Sequence, residues 1–230
     1  MDWSVVHSLN HFVVRNDGIE DPLKVYVQIA EVLFLAILLV VCVFARHVRG
    51  RPYRRTAVAA GLSAALALVV TAIVAHLVYR ARPFVAHPSA VHMFLAHARD
   101  SSFPSDHATA SAAVAIAILL RRKWAWGLLM VVLALILDFG RVALGLHYPT
   151  DILGGAAIGA AAALVLWAPP IRNWIDWLSD TVGRIGDGAI DAVLGRLTPG
   201  LGRSYAVEAD APARVELTRT AVGGEDRPAD

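Results

Sequence analysis

Three short stretches of the chain hold residues whose types and spacing suit phosphoryl chemistry. YRARPF supplies Arg80 and Arg82, FPSDH supplies Ser105, Asp106 and His107, and GRVALGLHYPTD supplies Arg141, His147 and Asp151. Clustered arginines bind a tetrahedral oxyanion through forked N–H donors. A helix start adds free backbone N–H groups aimed at the same anion. Pro104-Ser105-Asp106-His107 has the composition of such a start, so its N–H groups and the Ser105 hydroxyl can hold a phosphoryl oxygen. Ser-Asp before a helix is also an ordinary N-cap, and the two roles coexist. Two histidines can divide the labour, one attacking as nucleophile while the other, protonated, donates to the leaving oxygen. His147 and Asp151 are four residues apart. A helical turn with Pro149 near its first position brings that carboxylate toward the imidazole, where it can fix the tautomer and stabilise the cation that forms. Asp151 taken alone is equally a helix cap. Each residue singly is a weak signal. Their order along the chain, on one face of the molecule, is the specific one.

The elements that must position them are membrane helices. Of the 230 residues, 57% are hydrophobic, against about 45–50% in soluble domains, and mean hydropathy is +0.56. The apolar residues fall in five blocks, Val25–Ala45, Ala57–Tyr79, His107–Leu120, Trp124–Leu146 and Ile152–Trp167. A span needs about 20 such residues, so the third and fifth blocks are short and call for extra turns at the interface. The expected fold is all-α, a polytopic membrane helical bundle with about five transmembrane helices. RHVRGRPYRR (residues 46–55) and RRK (121–123) fall on one face, which the positive-inside rule makes cytoplasmic. The three chemistry-bearing stretches then share the opposite, extracytoplasmic face, and the C-terminus lies inside. The first block follows acidic residues with no cationic start, so it reads as a retained span rather than a secretory signal. Cys42, the only cysteine, is a packing residue inside it.

Residues 1–24 carry Trp3, Val6, Leu9 and Val13 at helical spacing, which predicts a short interfacial helix. Residues 171–197 set Trp174, Ile175, Leu178 and Val182 against Asp176, Asp180 and Asp187, an amphipathic helix expected on the cytoplasmic surface. A partner helix or a homo-oligomer contact is as good a use for it as lipid. Residues 198–230, rich in Gly, Pro, Ala and charge, are expected to be disordered. The domain plan is thus a membrane domain over 1–170, the helix over 171–197 and a tail. Gly155 and Gly159 are spaced for close helix packing. Asp138 reads as a buried partner of Arg141, and Glu31 inside the first block has no partner that spacing identifies.

The ordered set resembles the type-2 phosphatidic acid phosphatase superfamily, whose pattern is Lys-x6-Arg-Pro, Pro-Ser-Gly-His and Ser-Arg-x5-His-x3-Asp. The resemblance covers about residues 55–168. It implies that Arg82 and Arg141 bind phosphate, aided by Ser105 and the backbone N–H of Asp106. It implies that His147 is the nucleophile, forming a phosphohistidine, that His107 protonates the leaving group, and that Asp151 orients His147. The family lysine falls at Ala75, with Arg80 as a substitute from the other side of Arg82; Asp106 replaces a glycine and Gly140 a serine. ARPF, SFPSDHA and HYPTD look most like the bacitracin-resistance branch of the superfamily, the undecaprenyl-diphosphatases. The implied substrate is a polyprenyl diphosphate in a bacterial membrane, with no metal or other cofactor and no nucleic acid. Arg99, in the loop with His87, His92 and His97, is the candidate for the second phosphate, with a solvated loop as the plainer reading of those histidines. The alternatives are a broad phosphatase for phosphatidylglycerophosphate or phosphatidic acid, a lipid phosphotransferase and an anion transporter.

Overall fold

A computed structural model of the chain describes residues 1–44 and 51–197. These residues form eight helices: α1 (Asp2–Val14), α2 (Asp17–Phe44), α3 (Arg51–Leu77), α4 (Pro83–Ala86), α5 (Asp106–Leu120), α6 (Trp124–Ala143), α7 (Pro149–Trp167) and α8 (Pro169–Leu197). Long apolar segments become helices because hydrocarbon offers no partner to backbone N–H and C=O groups, which a helix satisfies internally. Four helices, α2, α3, α6 and α7, are long and apolar enough to cross a membrane. The protein is a polytopic helical bundle, as its composition predicts.

The third apolar block behaves differently from the others. α5 has 15 residues, so it rises about 22 Å and falls short of a hydrocarbon core of about 30 Å. It does not gain the extra turns expected of it, ending at Leu120 before the RRK turn. Instead it sits inside the bundle, packed on α3, α6 and α7. Ala108, Ala113, Ala115 and Ala117 are all buried there. α7, by contrast, lengthens to start at Pro149. Outside this core, α2, α3, α6 and α7 expose Val32, Leu35, Ile73, Leu135 and Leu164, the surface a bilayer would cover.

Small side chains let α5 and α7 approach closely. A Cβ added at Gly155 would meet the Ser105 carbonyl oxygen at 2.5 Å and Thr109 Oγ1 at 2.9 Å, and one at Gly159 would meet the Ala113 backbone nitrogen at 2.8 Å. Backbone cannot swing aside as a side chain can, so Gly159→Ala should force the helices apart. The expected cost of such overpacking is about 1–3 kcal/mol, read as a lower thermal midpoint of the purified protein in detergent. An unchanged midpoint would show that α5 and α7 have slack.

The two ends of the bundle are held by different contacts. At one end Arg55 on α3 pairs with Asp180 at 2.5 Å, and Arg121 pairs with Asp176 at 2.7 Å, fastening the first half of α8 to the bundle. α8 starts at Pro169, two residues before the expected helix. The chain divides into two compact units, residues 1–184 and 185–230, and the described part of the second is the end of α8. Residues 46–50 of the arginine-rich segment and the expected disordered tail over 198–230 lie outside the described residues. At the other end buried Asn10 on α1 donates to the carbonyls of Ala143 and His92, both at 3.1 Å, and accepts from the His92 N–H at 2.9 Å. The N-terminal helix thereby clamps the loop before α5 to the end of α6.

Candidate active site

The α6–α7 connection is a tight turn. Leu146 and His147 return their N–H groups to the Arg141 carbonyl at 3.0 and 3.3 Å. Gly145, just before Leu146, has φ +74°, a conformation open to glycine. The turn folds the chain so that Arg141 and His147, six residues apart, lie side by side, with Arg141 Nη2 3.0 Å from His147 Nε2. Arg82, just before α4, approaches the same nitrogen. Its Nη1 lies 3.0 Å from His147 Nε2 and donates to the Leu146 carbonyl at 3.1 Å, while its Nε donates to Asp100 at 2.7 Å. His107, on the first turn of α5, places Nε2 3.3 Å from Arg141 Nη1. Three segments distant in sequence thus converge on one cluster around His147 and Arg141.

The orientation of that imidazole follows from its other nitrogen. His147 Nδ1 lies 2.8 Å from the Ser102 carbonyl oxygen. A carbonyl only accepts, so Nδ1 carries the proton and the Nε2 lone pair faces the two guanidinium groups. Asp151 Oδ2 is 3.9 Å from Nδ1, too far to take that proton. The four-residue spacing does bring the carboxylate near the ring, as predicted. But Asp151 stands at the third position of α7, so its Oδ2 accepts the Tyr148 N–H at 2.8 Å and the Ser102 hydroxyl at 2.5 Å. Its link to His147 runs through Ser102, which the sequence reading passed over.

Electrostatics then set the charge of the ring. Burial, followed by the fields of Arg141 and Arg82, holds His147 well below the ordinary histidine value of 6.5. His97, whose Nε2 is 3.2 Å from Arg141 Nη2, is lowered by burial and by Arg82 and Arg141. A neutral His147 keeps its lone pair, and protonation would remove it. As pH falls through 6.5 the neutral form persists, so the acid limb of kcat/KM for phosphate release should lie well below 6.5. A limb at or above 6.5 would mean that His147 is not held neutral.

The remaining predicted residues fall into two groups. Ser105 caps α5, its hydroxyl 3.4 Å from the Ala108 N–H, and its own N–H reaches the Asp151 carbonyl at 3.1 Å. Asp106 follows it on the first turn and is exposed. Arg80 points away from the His147 Nε2 cluster. Its guanidinium holds Asp151 at 2.7 Å, Asp2 at 2.9 Å and Thr150 at 2.6 Å, over the Tyr148 ring. Ala75, where the resembled pattern has lysine, lines an open cleft of about 610 Å³ with His76, Asp100 and Asp106. Arg99 is exposed, and its loop neighbours His97 and Asp100 reach the arginines instead. The expected Asp138–Arg141 pair is not formed: Asp138 Oδ1 and Arg141 Nε are both buried without a hydrogen-bond partner. Glu31 does have a partner, His107 Nε2 at 2.9 Å. Its place inside an apolar block was a usable signal, but nothing local pointed to His107.

From His107 an apolar groove of about 400 Å³ runs between α2, α3 and α5. Phe34, Leu35, Leu38, Leu68, Val114 and Leu137 line it, with Glu31 and Asp106 at its polar end.

A polytopic bundle with a neutral, buried imidazole between two guanidinium groups defines a membrane protein whose site is built to receive an oxyanion. Residues 56–174 match the PAP2 superfamily, and the chain belongs to that superfamily, as a multi-pass lipid phosphatase. It is similar to undecaprenyl-diphosphatase BcrC of Bacillus subtilis (strain 168), with 34% identity over 158 residues, 68% of this chain and 76% of that one. A putative undecaprenyl-diphosphatase, YbjG of Escherichia coli (strain K12), is 40% identical over 118 residues, 50% of this chain and 58% of its own. The decaprenylphosphoryl-5-phosphoribose phosphatase of Mycobacterium tuberculosis (strain ATCC 25618 / H37Rv) is 38% identical over 114 residues, 49% of this chain and 60% of its own.

Proposed function

We propose that this protein hydrolyses undecaprenyl diphosphate to undecaprenyl phosphate on the extracytoplasmic face of a bacterial cell membrane, through a phosphohistidine. The observation that carries the reading is the Nε2 lone pair of His147 aimed between Arg82 and Arg141. The terminal phosphoryl group takes the place between the two guanidinium groups, with the N–H groups at the start of α5 beside it. His147 Nε2 attacks phosphorus in line, and the bond from phosphorus to the bridging oxygen breaks. His107 gives its Nε2 proton to that oxygen, and the lipid monophosphate leaves. Water then attacks the phosphohistidine, its proton passing back to His107 as the phosphorus–nitrogen bond breaks. Positioning and charge supply most of the acceleration, and no step calls for a metal. The groove below His107 takes the isoprenoid chain near the leaving oxygen. Orientation rests on Arg55, Arg121 and Lys123 at the end of the bundle opposite the site.

One observation favours a second reading. Glu31 and Asp106 stand at the polar end of the groove, on the leaving-group side of His107. A second phosphate there is repelled by two carboxylates, whereas the uncharged alcohol portion of a monoester is not. A phosphatase for a phosphorylated glycolipid or glycerophospholipid uses the same first step, and one of the similar proteins is named for a phosphoribose lipid.

Phosphate release by the purified protein in EDTA distinguishes the two. Undecaprenyl diphosphate, phosphatidylglycerophosphate and phosphatidic acid are compared, with His147→Ala as control. Preference for the diphosphate, lost in the variant, supports the first reading. Faster turnover of the monoesters moves the function to the second. Release from none of them refutes both.

A further inference from the structure

Glu31 plays no part in the mechanism above, yet it lies deep in a membrane-spanning helix. It is 14 residues from the start of α2, about 21 Å along the helix. A carboxylate at that depth is costly unless it is paired, and such residues mark function. Its partner is His107, with Oε1 2.9 Å from Nε2.

Two groups compete for that one nitrogen. Arg141 Nη1 lies 3.3 Å from His107 Nε2. An arginine N–H can only donate, so it needs a lone pair on Nε2, whereas a carboxylate can only accept and needs a proton there. The second ring nitrogen cannot arbitrate, because His107 Nδ1 is buried without a hydrogen-bond partner. Asp106 and His147 add charge or a dipole nearby, but neither contacts the ring in a hydrogen bond. Without Glu31 the arginine would draw the lone pair to Nε2 and leave the proton on Nδ1, facing protein. With Glu31 the proton stays on Nε2, at the mouth of the apolar groove.

We propose that Glu31 is the positioning residue of the general acid. It holds the Nε2 proton of the protonated imidazole against the pull of Arg141 and fixes the ring orientation in which His107 presents that proton to the leaving oxygen. The inference rests on the acid role of His107 proposed above. It does not depend on which lipid is the substrate.

The test separates proton donation from every other step by changing the leaving group. An alkyl alkoxide needs a proton as it departs, and a nitrophenolate does not. Glu31→Leu keeps the segment apolar, and Glu31→Gln retains an amide oxygen that can still accept from Nε2. Turnover of dodecyl phosphate should fall in the order wild type, Glu31→Gln, Glu31→Leu, with a loss of roughly 100-fold for leucine. Turnover of 4-nitrophenyl phosphate should change far less across the series. In a His107→Ala background the two Glu31 substitutions should add nothing, since a residue acting through His107 is silent without it. Equal losses on both esters, or additive losses in the His107→Ala background, would overturn the proposal. So would wild-type cleavage of dodecyl phosphate by His107→Ala. A wild-type enzyme that cleaves both esters but not undecaprenyl diphosphate would refute the substrate assigned above, while the order of the Glu31 variants would still decide this proposal.

Discussion

His147→Ala should lower kcat for phosphate release by about 10⁴-fold or more, the scale on which removal of a nucleophile acts. The protein should otherwise remain folded. His147 is buried in a turn held by backbone hydrogen bonds from Leu146 and itself to Arg141, and an alanine there keeps those bonds. The variant leaves Arg82 and Arg141 facing a small void. It should therefore still bind inorganic phosphate or vanadate, and that binding, measured by calorimetry, separates lost chemistry from lost structure. Acid-labile, base-stable phosphate trapped on the wild type and absent from the variant would identify the phosphohistidine. An active His147→Ala enzyme would remove the nucleophile from the mechanism.

The second large effect is expected from Arg82→Lys, which should cost about 10²–10³-fold in kcat, the range for loss of one charge-stabilising donor. The charge is conserved, so the loss would report geometry. Arg82 uses Nε for Asp100 and Nη1 for both the Leu146 carbonyl and the His147 side. An ammonium cannot span those directions, because it lacks the planar fork. Turnover near the wild-type rate would shift the phosphate away from Arg82. Arg80 is poorly placed to inherit it, since Asp2, Asp151 and Thr150 already hold its guanidinium.

Much of the fold was legible because membrane helices are written in local composition. Long apolar blocks, the Arg-rich turns between them, the Ala and Gly content of α5 and α7, and the stripe on α1 are all short-range features. They predict helices without reference to one another. The limits of α5 were less legible: its 15 residues look like an incomplete span, and only packing against α3, α6 and α7 explains why no further turns are needed.

For the site, residue type and spacing by themselves singled out the side chains with the right groups for phosphoryl chemistry: Arg80, Arg82, Ser105, Asp106, His107, Arg141, His147 and Asp151. They also determined that these lie at the same end of their helices. Contacts between segments decided the rest. The Ser102 carbonyl, not a carboxylate, accepts the hydrogen bond from His147 Nδ1; Asp151 works on Ser102 and Arg80; Asp100 and His97 approach the arginines where Arg99 does not; and Glu31 finds His107. The physical reason is range. Helix formation and capping depend on neighbours within a turn or two, so they can be read along the chain. A hydrogen bond to a residue 45 or more positions away, such as His147 to Ser102, depends on how close α5 and α7 come and on where Asn10 pins the loop before α5, and only the packed bundle sets those distances.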